Sequence, residues 1–305
     1  SWTNQPASVV LPAIINLCPN QYIVTVKDAK GCTAKDTVTI SEPTLLTSTS
    51  TKEDLSCNGI CNGLAIVSAS GGVPPYTYIW NPGTISNDTA SSLCAGTYNA
   101  AVIDANGCFS FPPAVTITEP TLVVPHATFT NPLCNASCNG TAVANPTGGT
   151  GSYTYIWTPG GFTTKNISGL CAGTYTVSVK DSMGCTVNQN VTLINPTILT
   201  ANTTSTSPLC VGSCNGIVTA NLVGGTPAYT YSWFPGGATT ATVNSLCTGS
   251  YTVIVTDANS CKDTQSVTVT NPLPVNVAVS STPSSCGICD GTISINPISG
   301  TPPFK

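Results

Sequence analysis

Along most of the chain apolar and polar side chains alternate with a period of two, and no 3.6-residue pattern runs long enough for a helix, so strands are predicted throughout. After Gly63, the residues Ala65, Val67 and Ala69 fall on one face and Leu64, Ile66 and Ser68 on the other. A Gly-Gly turn follows, then a strand that places Tyr76, Tyr78 and Trp80 together with Thr77 and Ile79 opposite. From Gly96 a further run alternates Tyr98, Ala100 and Val102. Asp104-Ala-Asn-Gly107 then supplies the residues a tight hairpin demands, and Val115-Thr-Ile117 closes the set.

The whole pattern repeats. Trp80, Trp157 and Trp233 are 77 and 76 residues apart, and Cys57, Cys134, Cys210 and Cys286 follow at 77, 76 and 76. The same period relates Cys18, Cys94, Cys171 and Cys247, and again Cys32, Cys108, Cys185 and Cys261. Glu42-Pro43, Glu119-Pro120, Asn195-Pro196 and Asn271-Pro272 mark the junctions. The predicted repeats are therefore 44–120, 121–196 and 197–272, with 1–43 as the second half of an earlier repeat and 273–305 as the first half of a later one. This phasing leads us to expect a longer polymer of which these residues are a window. Six or seven short strands per repeat, with turn signals every 8–12 residues, predict an all-β chain of small immunoglobulin-like sandwiches of about 76 residues. With no linker between them, the repeats are expected to stack as a rod.

Sixteen cysteines, an even number, imply an oxidising and hence extracellular setting. A domain this small buries only about 60% of its unfolded surface and needs staples. Zinc is the rival use, but Cys57-x3-Cys61 becomes Cys286-x2-Cys289 in the last repeat, a drift that a metal clasp tolerates poorly. Cys94 and Cys108 flank one extended strand of about eight residues at ~3.3 Å each, too far apart for a disulfide. In a sandwich of this order Cys61 meets Cys94, and likewise Cys138 meets Cys171 and Cys214 meets Cys247. Two readings stay open for the rest. Either Cys57 bonds Cys185, and Cys134 bonds Cys261, between consecutive repeats, or a longer first strand or different topology lets Cys57 reach Cys108 within one.

Charge narrows the function. Only 20 residues are charged, all 8 basic ones are lysines, and the net charge is −4, so no groove for nucleic-acid phosphates can be assembled. The single histidine, His126, has no second imidazole for a metal cluster, triad or proton relay and reads as an exposed first-strand residue. No stretch of about 20 apolar residues is present, so membrane insertion is not expected. No cofactor or metal is called for. Asp28, Asp104, Asp181 and Asp257 share one hairpin tip, but a calcium shell needs six to eight oxygens, and a turn cap is the plainer role. Lys–Asn isopeptide crosslinks need a recurring lysine, yet Lys27 and Lys180 are replaced by Ile103 and Thr256 elsewhere.

The string Cys-Asn-Gly, then Gly-Gly-x-Pro-Pro-Tyr-Thr-Tyr-x-Trp at 71–80, Leu-Cys-Ala-Gly-Thr-Tyr at 93–98 and Asp-Ala-Asn-Gly-Cys at 104–108 resembles the SprB repeat, a family of giant gliding adhesins on the surface of Bacteroidota. The resemblance implies type IX secretion, a cell-surface or released location and adhesive or filament roles, without one defined ligand. The usual family member resembles this chain at Cys57 and Cys108 only. The additional Cys61 and Cys94 favour a stiff extracellular fibre over a flexing motile adhesin. The resemblance further implies O-glycans at Asp-Ser/Thr-aliphatic sites, matched here at Thr37, Thr89 and Ser182. Asn-x-Ser/Thr sequons at Asn87, Asn135, Asn139, Asn166, Asn190 and Asn202 are discounted for a bacterial source.

The expected function is thus a non-enzymatic, disulfide-stapled structural and adhesive repeat protein. Its expected partners are further repeats of its own chain, other copies in fibres, and polysaccharide or surfaces. A carbohydrate-binding module gripping glycan with Tyr and Trp faces is the first alternative. An enzyme would need carboxylates converging in a cleft, and the acidic residues are thin and scattered.

Overall fold

A computed structural model describes residues 13–305; the first twelve residues of the half-repeat 1–43 lie outside the described part. Every regular element among the described residues is a strand. The leading half-repeat holds β1 (Asn20–Lys27) and β2 (Thr33–Ile40). Residues 44–120 hold β3 (Thr47–Glu53), β4 (Gly63–Ser70), β5 (Thr77–Asn81), β6 (Thr89–Leu93), β7 (Gly96–Ile103), β8 (Phe109–Ser110) and β9 (Val115–Ile117). Residues 121–196 hold β10 (Ala127–Thr130), β11 (Gly140–Ala144), β12 (Thr154–Thr158), β13 (Asn166–Leu170), β14 (Gly173–Lys180) and β15 (Thr186–Leu193). Residues 197–272 hold β16 (Thr200–Thr206), β17 (Gly216–Val223), β18 (Thr230–Phe234), β19 (Thr242–Leu246), β20 (Gly249–Thr256) and β21 (Lys262–Val269). The trailing half-repeat holds β22 (Asn276–Thr282) and β23 (Thr292–Ser299).

Each complete repeat builds two antiparallel sheets from its strands in the same way. The first, second and fourth strands form one sheet, as in β3-β4-β6 and β16-β17-β19, and the third, fifth and last form the other, as in β18-β20-β21. That is the strand order of an immunoglobulin sandwich with one edge strand missing. In residues 44–120 the sheets close on Ala65, Val67 and Ala90 from one side and Trp80, Ala100 and Val102 from the other. In residues 197–272 the corresponding core sets Val218 and Ala220, joined by Ala201 of the first strand, against Trp233, Val253 and Val255. The small side chains make room for the tryptophan. Its indole N–H finds a carbonyl seven residues on, Asn87 at 3.0 Å, Thr164 at 3.1 Å and Thr240 at 3.0 Å, so burying the ring leaves no orphaned donor. A tyrosine at the start of the fifth strand donates its hydroxyl to the carbonyl four residues back, Tyr98 to Cys94, Tyr175 to Cys171 and Tyr251 to Cys247, in the manner of the tyrosine corner of this fold. The outward faces pair hydroxyls across strands, as in Thr97 with Thr116 and Thr174 with Thr192. Threonine ladders rather than charges therefore cover the solvent side.

His126 sits just before β10 with φ of 46°, exposed, its Nε2 3.1 Å from Thr147 Oγ1, so it precedes the first strand of its repeat.

Two spacings in the sequence acquire a physical meaning. Gly63, Gly140 and Gly216 open the second strand where it runs against the last one, and a Cβ on Gly216 would lie 2.9 Å from Val269 Cγ1 and 3.0 Å from the Leu246 carbonyl oxygen. The second is the interval from the Gly-Gly turn to the hairpin aspartate. Asp104 is buried, and its carboxylate accepts the backbone N–H of Asn106 (2.9 Å), Cys108 (2.8 Å) and Val73 (2.9 Å). Asp181 and Asp257 do the same with Thr150 and Thr226, each at 2.8 Å. The carboxylate therefore caps its own hairpin and ties it to the turn 31 residues earlier. Hydrogen bonds from Cys108 and Val73 hold the Asp104 carboxyl below its ordinary value, against a smaller opposing cost of desolvation. Desolvation is the largest influence on Asp181, but the N–H donors of Thr150, Cys185, Met183 and Gly184 together outweigh it and depress this carboxyl too.

The described chain folds as two compact units. The first comprises the residues through Val123 together with Gly148–Ser152 and Asp181–Cys185, and the second comprises Val124–Thr147, Tyr153–Lys180 and Thr186–Lys305. The middle repeat is thus divided, its Gly-Gly turn and hairpin tip belonging to the first unit.

Gly216→Ala is expected to destabilise the chain by about 1–3 kcal/mol through overpacking against a β-branched neighbour and backbone, measurable by denaturant unfolding; an unchanged midpoint would refute the close approach. Because the folded carboxyls of Asp104 and Asp181 lie below the ~3.9 of an unfolded aspartate, their contribution is complete above about pH 4 and is lost as pH falls through the depressed values. Thermal melts of Asp104→Asn with Asp181→Asn should therefore show a lower Tm at neutral pH and a flatter acid limb than the parent. Parallel curves would contradict the carboxylate's role.

Candidate functional site: the cysteine seams

The chemistry-bearing side chains of this chain are its cysteines, and their setting follows from the hairpin just described. Within a repeat, the cysteine before the second strand is bonded to the one before the fifth: Cys61–Cys94, Cys138–Cys171 and Cys214–Cys247, each 33 residues apart. The paired register of β4 with β6 and of β11 with β13 puts Gly63 opposite Leu93 and Gly140 opposite Leu170, which brings the two loops to one end of the sandwich.

A second class of bond crosses from one repeat to the next. In the first compact unit Cys57 is bonded to Cys185, 128 residues on, with Cα atoms 5.6 Å apart. Both sides are braced. Cys57 lies in a loop where Asn62 Nδ2 donates to Ser56 Oγ (2.6 Å), Asn58 Nδ2 donates to the Pro120 carbonyl (3.1 Å), and the Gly59 N–H donates to the Glu119 carboxylate (2.8 Å). Cys185 donates its N–H to Asp181 (2.9 Å), whose other oxygen holds Thr150.

The second unit repeats the arrangement with Cys134–Cys261, again with Cα atoms 5.6 Å apart. Asn135 Nδ2 donates to the Pro196 carbonyl (3.0 Å), and the Ala136 N–H donates to Asn195 (3.2 Å). Here a side chain adds to the sulfur bridge: Asn259 Nδ2 donates across the seam to the Leu133 carbonyl (3.2 Å) and within its own repeat to Thr226 Oγ1 (3.0 Å). A junction dipeptide, a cysteine loop, a disulfide, a hairpin aspartate and a Gly-Gly turn thus form one continuous bonded path.

Groups of three or more histidine, cysteine or carboxylate side chains placed to hold a metal are absent among the described residues. The tyrosines of the aromatic strand are spent on the fold: Tyr76 and Tyr229 donate their hydroxyls to the carbonyls of Gly71 and Gly224, at 2.7 and 2.8 Å, and Tyr78 and Tyr231 pack against the cores. Of the residues considered for O-glycans, Thr37 is exposed on β2, Thr89 is half-buried with its hydroxyl on Asp88, and Ser182 donates its hydroxyl to the Thr150 carbonyl (2.5 Å). The bracing asparagines and the link from each hairpin aspartate to the turn before it escape a reading of local patterns. The recurrent interval of 32 residues from Gly72 to Asp104, Gly149 to Asp181 and Gly225 to Asp257 is the one signal of the latter.

No helix among the described residues is long and apolar enough to cross a membrane. No curated protein matches the sequence. Among solved structures, the eight N-terminal Ig domains of the Down syndrome cell adhesion molecule align at 8% identity and TM-score 0.27, over 92% of this chain and 55% of that one. This chain therefore spans about half the length of that molecule. Extracellular domains 3–5 of Drosophila OTK align at 12% identity and TM-score 0.27, over 73% and 92% of the two chains. Domains 1–6 of the surface layer protein SbsC align at 14% and 0.25, over 92% and 53%. Superpositions this loose add nothing to the strand order and buried tryptophans, on which the fold assignment stands. The sequence match is more telling, since residues 49–85, 126–162 and 202–238 each fit the SprB repeat, beginning at the first strand and ending a few residues beyond the tryptophan. Three segments in succession thus match the SprB repeat, each followed by the same later strands and cysteines.

Proposed function

We propose that this chain is a covalently laced segment of an extracellular bacterial surface adhesin or fibre, whose task is reach and resistance to pulling. One observation carries the reading: cysteines of consecutive repeats are bonded, Cys57 to Cys185 and Cys134 to Cys261, in addition to the bond inside each sandwich. A chain built only to display independent binding modules has no use for such bonds. A chain under tension does, because a force that unfolds one repeat meets a disulfide before it can draw out the next. The oxidised cysteines favour an extracellular location, and the SprB match favours a secreted surface protein of the kind that family builds. A surface of hydroxyls and few charges suits contact with polysaccharide, other filaments or inert surfaces with little dependence on salt. Glycan gripping by the aromatic strand is the weaker reading, since those tyrosines are engaged in the fold.

Pulling on single chains tests the reading. With the bridges intact the fully stretched tether should be about two fifths as long as after reduction, at ~3.5 Å per residue released. Equal lengths would end the proposal. Replacing Cys134 and Cys261 by serine should cost about 5 kcal/mol of stability, by the loop-entropy relation for a closed loop of more than 100 residues, and lengthen the oxidised tether.

A further inference from the structure

One sheet face departs from the hydroxyl-covered surfaces of its neighbours, and it lies in the complete sandwich 44–120. In the second sheet Ile79 stands opposite Ala101, and Ile103 opposite Phe109, all on the side away from the core that Trp80, Ala100 and Val102 fill. Phe111 follows on that outer side, its ring parallel to that of Phe109 within 8° and 6.3 Å away. Phe109 is 59%, Phe111 72% and Ile79 51% exposed. The positions of Ile103, Phe109 and Phe111 are held by Lys180, Thr186 and Asn188 in the next repeat, and by Thr256, Lys262 and Thr264 in the one after.

A bulge accompanies the two rings. Ser110 pairs with Val102 but Val115 pairs with Tyr98, so the last strand carries one residue more than β7 between those pairs, around Pro112 and Pro113. In the other two repeats β15 and β21 run eight residues without such a shift. Pro112 is buried beside the core, while both phenylalanines stay outside with each other as ring partner. A preceding sandwich does not cover this face. In the second compact unit one precedes residues 197–272, yet Lys262 and Thr264, at the positions of the two rings, are exposed.

We propose that a second copy of this chain docks on this face, the two copies packing their outer β5-β7-β8 surfaces against each other about a two-fold axis. Size, charge and chemistry select that occupant. At roughly 200 Å² for a whole phenylalanine, the two rings alone expose about 260 Å². With Ile79 and its neighbours the patch reaches about 400 Å², the size at which exposed apolar surface marks an interaction site. Two such patches with their polar rims come to about 1,000 Å², the lower limit for a specific interface between proteins, so the contact is reversible. β5, β7, β8 and β9 carry no charged residue, so the face meets its own copy without repulsion. Ile79, Ala101, Ile103, Phe109 and Phe111 have no side-chain donor or acceptor, so nothing at the centre orients the hydroxyls of a sugar. An apolar sheet face is self-complementary, as an isologous contact requires, and face-to-face packing of sheets is the arrangement already used inside each sandwich. This gives the proposed fibre a side-by-side partner and rests on that reading only for the extracellular setting in which copies meet.

The test is sedimentation of the oxidised 305-residue chain over a range of concentrations, with its exposed thiols alkylated so that no disulfide can join copies. The parent is expected to pass from monomer to dimer in the micromolar range, with little change between low and high salt. Phe109→Thr with Phe111→Asn installs the residues of the next repeat and should raise the concentration of half-dimerisation at least tenfold. Circular dichroism and the disulfides should be unchanged in that variant, because both rings are exposed in the single copy. Ile79→Asp, which sets carboxylates against each other across the axis, should weaken the dimer by a similar factor. A parent that stays monomeric at every concentration, or a double variant that dimerises as the parent does, would overturn the inference. So would a monomeric parent that binds insoluble cellulose through the same two rings, which would give the face to a glycan. The tether lengths with and without reductant do not depend on this face, so the proposed function stands or falls separately.

Discussion

The structure depends on how firmly one hairpin tip is held. A disulfide between repeats needs two cysteines, far apart in sequence, with Cα atoms within about 7 Å, and a free hairpin would not wait at that distance. The buried aspartate removes the freedom. By accepting N–H groups from its own turn and from the residue after the Gly-Gly turn, Asp181 ties the tip carrying Cys185 to a second part of its repeat. On the other side the junction residues Glu119 and Pro120 hold the loop of Cys57. The sulfur bridge then joins two preformed surfaces. That is why Gly148–Ser152 and Asp181–Cys185 belong to the compact unit of the repeat before them.

Small size makes this necessary. A sandwich of about 76 residues with two three-stranded sheets has room for one tryptophan and a handful of alanines and valines, too little apolar burial for high stability alone. The bonds inside each sandwich and between consecutive ones supply what the core lacks, mainly by limiting the unfolded chain. Charge plays almost no part: the Lys52–Asp54 pair is the one ion pair among the described residues, and the outward faces are tied by threonine hydroxyls. Stability that rests on sulfur and hydroxyls rather than charge depends little on ionic strength.

Much of the fold was legible in the residues. Alternation by two marks each strand, and the recurring Ala65, Val67 and Trp80 type positions do form the cores, because a half-buried strand can satisfy burial only by placing every second side chain inward. Local reading handled the aspartates less fully. It finds the turn cap, since Asp104 contacts residues two and four positions on, but not the bond to Val73, which exists only once two loops meet. Gly63 likewise reads as a strand opener, while its true constraint is the side chain of Ile117 lying 2.7 Å from where a Cβ would stand. The partners of Asn58 and Asn135 lie more than 60 residues away and leave no trace in the neighbouring sequence.

The sequence by itself determined the period, the strand content, the tryptophan core and the number of cysteines per repeat, because each of these is written in the spacing of residue types along a line. It also excluded Cys94 with Cys108, since a strand has a known length. Which cysteine Cys57 meets was decided only by the tertiary structure. That choice turns on which end of a sandwich the hairpin tip of the following repeat reaches, and such a direction in space is a property of packed sheets and anchored turns rather than of intervals along the chain.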